Sequence, residues 1–391
     1  MRSKHSRGLT NVVTRDETHS IPAKGRVIGA GDDAPGEVAS AGRCDSADRM
    51  SPTPGKLLVP QDYNDAFRGW PVRPQNRQHP IRGSFLDPRP DPERGGIYHD
   101  GVDIAVRDDR PERGAPRGRT HRVFAIEGGP VFFATPRGTR GAVHVGHFRY
   151  GHVDAVVQVG EIVAPGQHIA WTCQGDWHVH LGESIFTGNG GRIVVNPLRP
   201  GGKLQPFVDR APPEIREIRF FSPATPGWAR RPNTSVARLP PAGERLNRDA
   251  LAGLVDVRVR VSDPQTFVGW FEELPWLAAP HHPFRLAVTI TEATSGRVAR
   301  RREVFRAEQL LGLSAGRHFA PGTEQNLPAN GCTRLHASVR CDGVYWFRLF
   351  PLRFWDTTTL RDGRYRLDVR AWDVAGNLAR ASVVVRLANG V

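Results

Sequence analysis

The sequence predicts an all-β chain of two folded parts, and three observations carry that prediction. The 391 residues include 42 glycines and 33 prolines, a supply of turn formers that favours many short elements over long helices. From Trp70 onward, apolar runs bounded by Gly and Pro recur about every 8–12 residues, the spacing of short strands. Neither an Ala/Leu/Glu/Lys heptad nor a G-X-Y period is present, which excludes a coiled coil and a collagen helix.

Residues 1–60 are polar, rich in Gly, Ser and Asp, and show no apolar period. They have the composition of a disordered segment or a processed leader. The start is basic, as in an export signal, but the apolar stretch of roughly 7–15 residues that such a signal needs is missing. No window approaches the ~18 apolar residues of a membrane-spanning helix.

Residues 61–210 form the first expected domain. GWPVRPQNRQHPIRGSF reads as strand, loop and strand. RTHRVFAIEGGPVFFAT reads as two alternating runs around Gly128-Gly129, a hairpin signature. GAVHVGHFRYGHV, AVVQVGEIVAPGQHIAWT and WHVHLGESIF supply further strands. Residues 211–391 form the second. EIREIRFFS, LVDVRVRVSD, FRLAVTITEA, RVARRREVF, VYWFRLFPLRFW, RYRLDVRAWD and ASVVVRLA give about seven strands, the count of an immunoglobulin-like sandwich. Residues 307–343 read as an irregular insertion. It holds Cys332 and Cys341, which are close enough in sequence to close a loop by a disulfide in an oxidising compartment. Asp263, Asp373 and Asn377 fall at strand ends, where they read first as turn residues and second as calcium ligands.

The formal net charge is +14, and residues 211–391 carry +9 of it, nearly all from Arg. A basic half favours an anionic partner, such as a cell-wall polymer, or is simply a solvated Arg-rich surface. Nucleic acid is disfavoured, because the chain has no RNP motif, no zinc finger and no basic helix.

Histidines are concentrated. Nine of the 15 lie between His79 and His180. Two spacings stand out among them: His99-x-x-x-Asp103 and His178-x-His180. Residues i, i+2 and i+4 of a strand share a face, so His178 and His180 point the same way from WHVHLGESI. His99 and Asp103 do so too if YHDGVDIAV is extended. Two such pairs on neighbouring strands place three imidazoles and a carboxylate on one sheet face. Catalytic zinc uses three ligands of these types and keeps a position open for water.

From about Ile81 to Pro197 the chain resembles the M23 (LytM, lysostaphin-like) zinc metallopeptidases. RGSFLDPR with GGIYHDGVDIAV is similar to the family's Gly-Phe-x-x-Arg and His-x-Gly-x-Asp segments. RVFAIEGGPVFFA, RYGHVDAVVQVGEIVAPGQHIAWT and WHVHLGES follow in the family's order and spacing. The resemblance implies an antiparallel β-sheet peptidase domain with Zn²⁺ on His99, Asp103 and His180. It further implies His152 and His178 as catalytic non-ligands, with His178 assigned to proton transfer and His152 to orientation or oxyanion stabilisation; the two roles are interchangeable at this level. The chain departs from the family in CQGDWHVH, where a Gly/Thr-rich turn and Pro are usual. Tyr98 is not at the spacing of the family's upstream Tyr, so no role is carried over to it.

The expected function is therefore a zinc metalloendopeptidase that cuts peptide cross-links of peptidoglycan, located in the cell envelope or secreted. The alternative is a non-catalytic M23-like binding or scaffold module of the envelope.

Overall fold

Runs of β-branched and aromatic residues broken by Gly and Pro become 21 strands among the described residues, with one four-residue helix. The computed structural model describes residues 69–89, 97–107, 109–135, 141–187, 191–223, 243–265, 280–313, 315–323 and 343–390. All belong to one compact unit, residues 36–391. Residues 1–60, Cys332 and Cys341 lie outside the described residues. No described helix is long and apolar enough to cross a membrane.

The first half contains β1 (Ile81–Gly83), β2 (Pro88–Arg89), β3 (Ile97–Tyr98), β4 (Val102–Ala105), β5 (Arg119–Phe124), β6 (Gly129–Ala134), β7 (Ala142–Val145), β8 (Phe148–Gly151), β9 (Val153–Ala155), β10 (Ile162–Val163), β11 (His168–Cys173), β12 (His178–Phe186) and β13 (Arg192–Val195). The main sheet runs β1-β4-β12-β8-β7-β6-β10, with β13 also on β12. A three-stranded sheet, β5-β11-β9, accompanies it. Val102, Ile104, Val143, Tyr150, Val179 and Leu181 are fully buried. β12 is the long element, and β4 and β8 flank it antiparallel.

The Gly128-Gly129 hairpin does not form. β5 pairs with β11, whereas β6 pairs with β7 and β10. The two runs are consecutive but enter different sheets. Gly128 packs against a neighbouring segment there: a Cβ at this position would lie 2.9 Å from the Val163 carbonyl oxygen.

The second half contains β14 (Glu214–Phe221), β15 (Leu254–Ser262), β16 (Arg285–Glu292), β17 (Val298–Arg306), α1 (Ala315–His318), β18 (Trp346–Arg348), β19 (Trp355–Asp356), β20 (Gly363–Trp372) and β21 (Leu378–Leu387). They form two four-stranded antiparallel sheets, one of β14, β15, β18 and β19 and the other in the order β17-β16-β20-β21. β20 alternates as its sequence suggests. β15 does not: Asp256 and Arg258, at polar positions of its alternating sequence, are each only 2% exposed. Arg258 and Arg348 both pair with Asp256, at 2.7 and 2.5 Å.

The halves meet through buried polar contacts beside β1–β3. Gln265 pairs with the Ile81 backbone at 2.8 and 3.1 Å. His281 and His282 donate from Nε2 to the carbonyls of Ile81 and Phe85, each at 2.9 Å. Tyr98 donates to Nδ1 of His318 at 2.6 Å; burial pushes this imidazole down to about 4, so it is neutral and able to accept.

Asp87 joins these contacts. Its carboxylate accepts from Ser84 N (3.0 Å), Ser84 Oγ (2.9 Å) and Tyr345 OH (3.2 Å). Its carbonyl accepts from His99 N at 2.9 Å. Asp87→Ala removes the buried acceptor of Ser84 and Tyr345 and is expected to cost roughly 2–4 kcal/mol, read as a lower denaturation midpoint in urea.

Candidate metal centre

Strand register assembles the centre. His180 on β12 lies directly opposite Asp103 on β4 and opposite Gly151 on β8. Cross-strand partners share a face, so His180 and Asp103 project together. His178 projects with them two residues along β12. At Gly151 the sheet makes room for the His180 ring, since a Cβ there would stand 3.2 Å from His180 Cβ.

His99 arrives by a different route from the extended strand expected. An extended run separates residues i and i+4 by about 13 Å, too far for their side chains to meet. Here β3 ends at Tyr98, the chain bends, and β4 begins at Val102. His99 Nε2 thereby comes within 3.0 Å of Asp103 Oδ1. Gly101 lies at the bend, pressed against His180. A Cβ on it would fall 2.7 Å from His180 Nε2 and 2.5 Å from the Leu181 carbonyl oxygen.

Three donor atoms therefore converge. His99 Nε2 is 2.9 Å from His180 Nδ1, which is 3.2 Å from Asp103 Oδ1. All three residues are buried. Ligands held tetrahedrally on zinc bonds of about 2.0–2.2 Å stand roughly 3.3–3.5 Å apart, within a few tenths of an ångström of this triangle. Proton bookkeeping points the same way. His99 Nδ1 lies 2.8 Å from the Ser84 carbonyl, which can only accept. The proton is thus on Nδ1, and the Nε2 lone pair faces inward. An imidazole lone pair and a carboxylate oxygen turned toward each other need something positive between them. A proton on His180 meets this need: burial lowers its pKa, and the carboxylates of Asp100 and Asp103 more than reverse that, to about 9. Burial alone would raise the Asp103 carboxyl, but the imidazoles of His99, His178 and His180 hold it well below the usual range. A divalent cation satisfies the same three atoms, and two nitrogens with one carboxylate suit zinc.

Asp100, Ser84 and Arg82 are parts of the centre that sequence reasoning missed. Asp100 Oδ1 faces His180 Nε2 at 3.3 Å, the carboxylate–imidazole arrangement that orients a metal-binding histidine. Its signal was adjacency to His99, too common to be informative. Ser84 fixes His99, as above. Arg82 Nη1 donates to the Asp176 carbonyl at 3.0 Å.

The two predicted non-ligands also lie at the centre. His178 Nδ1 lies 2.5 Å from the Asp176 carbonyl, which only accepts, and 3.0 Å from Arg82 Nη1, which only donates; with the Nδ1 proton on the shorter contact, Nε2 is an acceptor 3.7 Å from Asp103 Oδ1. Burial pushes the His178 pKa well down, so the ring is neutral. His152 packs its ring 4.5 Å from that of His178, centroid to centroid. It has φ 60°, and Trp177, just before His178, has φ 57°. Such strain in non-glycine residues gathers at functional sites.

Other features of the first half lie away from the centre. His147 pairs with Glu127 at 2.8 Å. Trp171 is buried under the Arg122 guanidinium. A pocket lined by Asn76, Gly201, Gly202, Gln205 and Pro206 shares no residue with the centre and offers no titratable side chain.

No family model matches the chain, and no curated protein or solved structure was found to match it.

Gly101→Ala is expected to displace the His180 ring and weaken zinc binding at least tenfold while far-UV circular dichroism stays unchanged. Asp100→Asn is expected to weaken it by about 10–100-fold. Competition with a chromophoric chelator reads both.

Proposed function

We propose that this chain is a zinc metalloendopeptidase of the M23 type that hydrolyses peptide bonds in peptidoglycan cross-links. The observation that carries the reading is the convergence of His99 Nε2, Asp103 Oδ1 and His180 Nδ1, with His178 Nε2 beside them as a proton acceptor. The substrate class rests on the resemblance of residues 81–197 to that family. A location in the cell envelope or outside the cell follows from that substrate.

Zinc bound by His99, Asp103 and His180 would supply a Lewis acid and an activated water. The chain's own residues provide the rest. His178 is neutral, and its Nδ1–H is anchored on the Asp176 carbonyl. Its Nε2 accepts the proton released as the peptide carbonyl is attacked and returns it to the departing amine. His152, packed beside His178 with its ring tilted by 51°, would orient that ring or donate to the developing oxyanion. Asp100 holds His180 from behind, so the ligand ring does not need to reorganise.

The second half takes the role of an immunoglobulin-like domain that orients or tethers the enzyme. Its two four-stranded sheets support this. Arg301, Arg366, Arg370 and Arg380 line a shallow pocket on the β17-β16-β20-β21 sheet, a surface that suits an anionic wall polymer.

The test is metal content together with release of peptide amines from purified peptidoglycan. Wild type is expected to hold one zinc per chain and to lose activity to a chelator. His180→Ala loses both zinc and activity. His178→Ala keeps zinc and loses roughly 10²–10⁴-fold in kcat. Loss of zinc from His178→Ala would overturn its role as a non-ligand. Bound zinc without hydrolysis would favour the non-catalytic binding module.

A further inference from the structure

A second set of acidic side chains converges away from the histidines. Asp209 lies in the segment that joins the halves, Asp263 directly follows β15, and Asp373 directly follows β20. One carboxylate oxygen of each lies within 4.8 Å of the other two. Asp263 and Asp373 are buried, at 8% and 1% exposure.

Part of this cluster is tied down. Asp373 Oδ1 accepts from Asn377 N at 2.7 Å, and its Oδ2 accepts from Asn377 Nδ2 at 2.6 Å. The same Nδ2 reaches the Asp209 carbonyl at 2.9 Å, and Asp209 Oδ1 accepts from Ala211 N at 3.0 Å. Asp263 differs. Its Oδ1 is buried with no hydrogen-bond partner among the described residues. A dry carboxylate oxygen on a residue clustered with two further carboxylates is costly unless a proton or a cation lies among them. Burial and the neighbouring Asp373 and Asp209 push the Asp263 carboxyl well up, and burial raises Asp373 as well. In both, burial is the largest cause and the charge of Asp209 adds to it.

We infer that Asp209, Asp263 and Asp373 form a calcium site that clasps the segment between the halves to the ends of β15 and β20. The donors are all oxygen, which excludes the softer metals and leaves the hard cations. Calcium bonds of 2.3–2.6 Å allow donors on one ion to stand up to about 5 Å apart, whereas magnesium at 2.0–2.1 Å allows about 4.2 Å and gives up its water reluctantly. Buried oxygens that lie within 4.8 Å of one another fit calcium, since magnesium would have to shed its water to enter among them. The ion would join one strand end from each sheet of the second half to the segment leading out of the first.

Equilibrium dialysis with radioactive calcium and thermal melts of the full-length protein test this. Wild type is expected to bind one calcium per chain with a dissociation constant of about 10⁻³ M or tighter, and to gain several degrees in Tm in calcium. The gain in equal magnesium is smaller. Asp209→Asn, at a partly exposed position, keeps the fold and weakens calcium binding at least about tenfold. Asp263→Asn abolishes calcium binding and leaves zinc content unchanged. His180→Ala retains calcium, which separates this site from the histidine centre. Absence of calcium binding at about 10 mM, ten times the weakest affinity of such modules, would overturn the site in favour of carboxyls that share a proton. Binding that survives both Asp variants, or an equal response to magnesium, would overturn the assignment as well.

Discussion

A single buried carboxylate sets the terms for the first half. Asp103 is 3% exposed on a strand whose other residues, Val102, Ile104 and Ala105, are fully buried. A carboxylate in such a place must be neutralised or paired. Among the groups that surround it are the imidazoles of His99, His178 and His180. Imidazole is not a permanent cation. Balance supplied through these rings therefore comes from something exchangeable, a proton or a metal ion. The bend at Gly101, the bare backbone at Gly151 and the left-handed backbone at His152 and Trp177 all serve to bring those rings to that one oxygen.

The second half supports this arrangement from behind. Tyr98, adjacent to His99, is held by His318. The turn Ser84–Asp87, whose Ser84 carbonyl fixes the tautomer of His99, is capped by Tyr345 through Asp87. Preorganisation of this kind matters because a ligand set that is already ordered loses little entropy on binding an ion, and a proton acceptor already oriented needs no rearrangement. Asn196 adds a further tie at the far end of the same sheet, donating to the Ala307 carbonyl at 2.8 Å.

The sequence made some of this legible and hid the rest for physical reasons. Strand content was readable because alternation and Gly/Pro turns are local properties. His178 and His180 were readable as a pair because two residues on one strand must share a face. His99 and Asp103 were readable as partners by spacing, but not as a bend, because the bend is imposed by the His180 ring packed on Gly101. The Gly128-Gly129 hairpin failed for a related reason: two glycines permit a hairpin, while the choice of sheet is made by distant strands β7 and β11. Alternation along β15 could not show that Asp256 pairs inside with both Arg258 on its own strand and Arg348 on another. Asp263 and Asp373 were visible as strand-end acids, yet Asp209 belongs with them only through the fold.

The two carboxylate clusters resolve the same electrostatic problem with different chemistry. Around Asp103 the neighbours are nitrogen donors with fixed tautomers, so the centre can exchange a proton for a metal that prefers mixed nitrogen and oxygen ligands. Around Asp263 every donor is oxygen, so only a hard cation or shared protons relieve the repulsion. The clusters are also physically contiguous. Asp263 pairs its backbone with His281, His281 donates to Ile81, and the next residue, Arg82, holds the Asp176 carbonyl that anchors His178. Contiguity alone does not make a switch, because coupling between sites requires an element with two arrangements. This chain of contacts consists of strand-end backbone pairs and buried side-chain bonds, which favour a single arrangement. An ion at the acidic cluster would therefore act on the histidine centre as a brace, keeping His178 in place rather than turning it on or off.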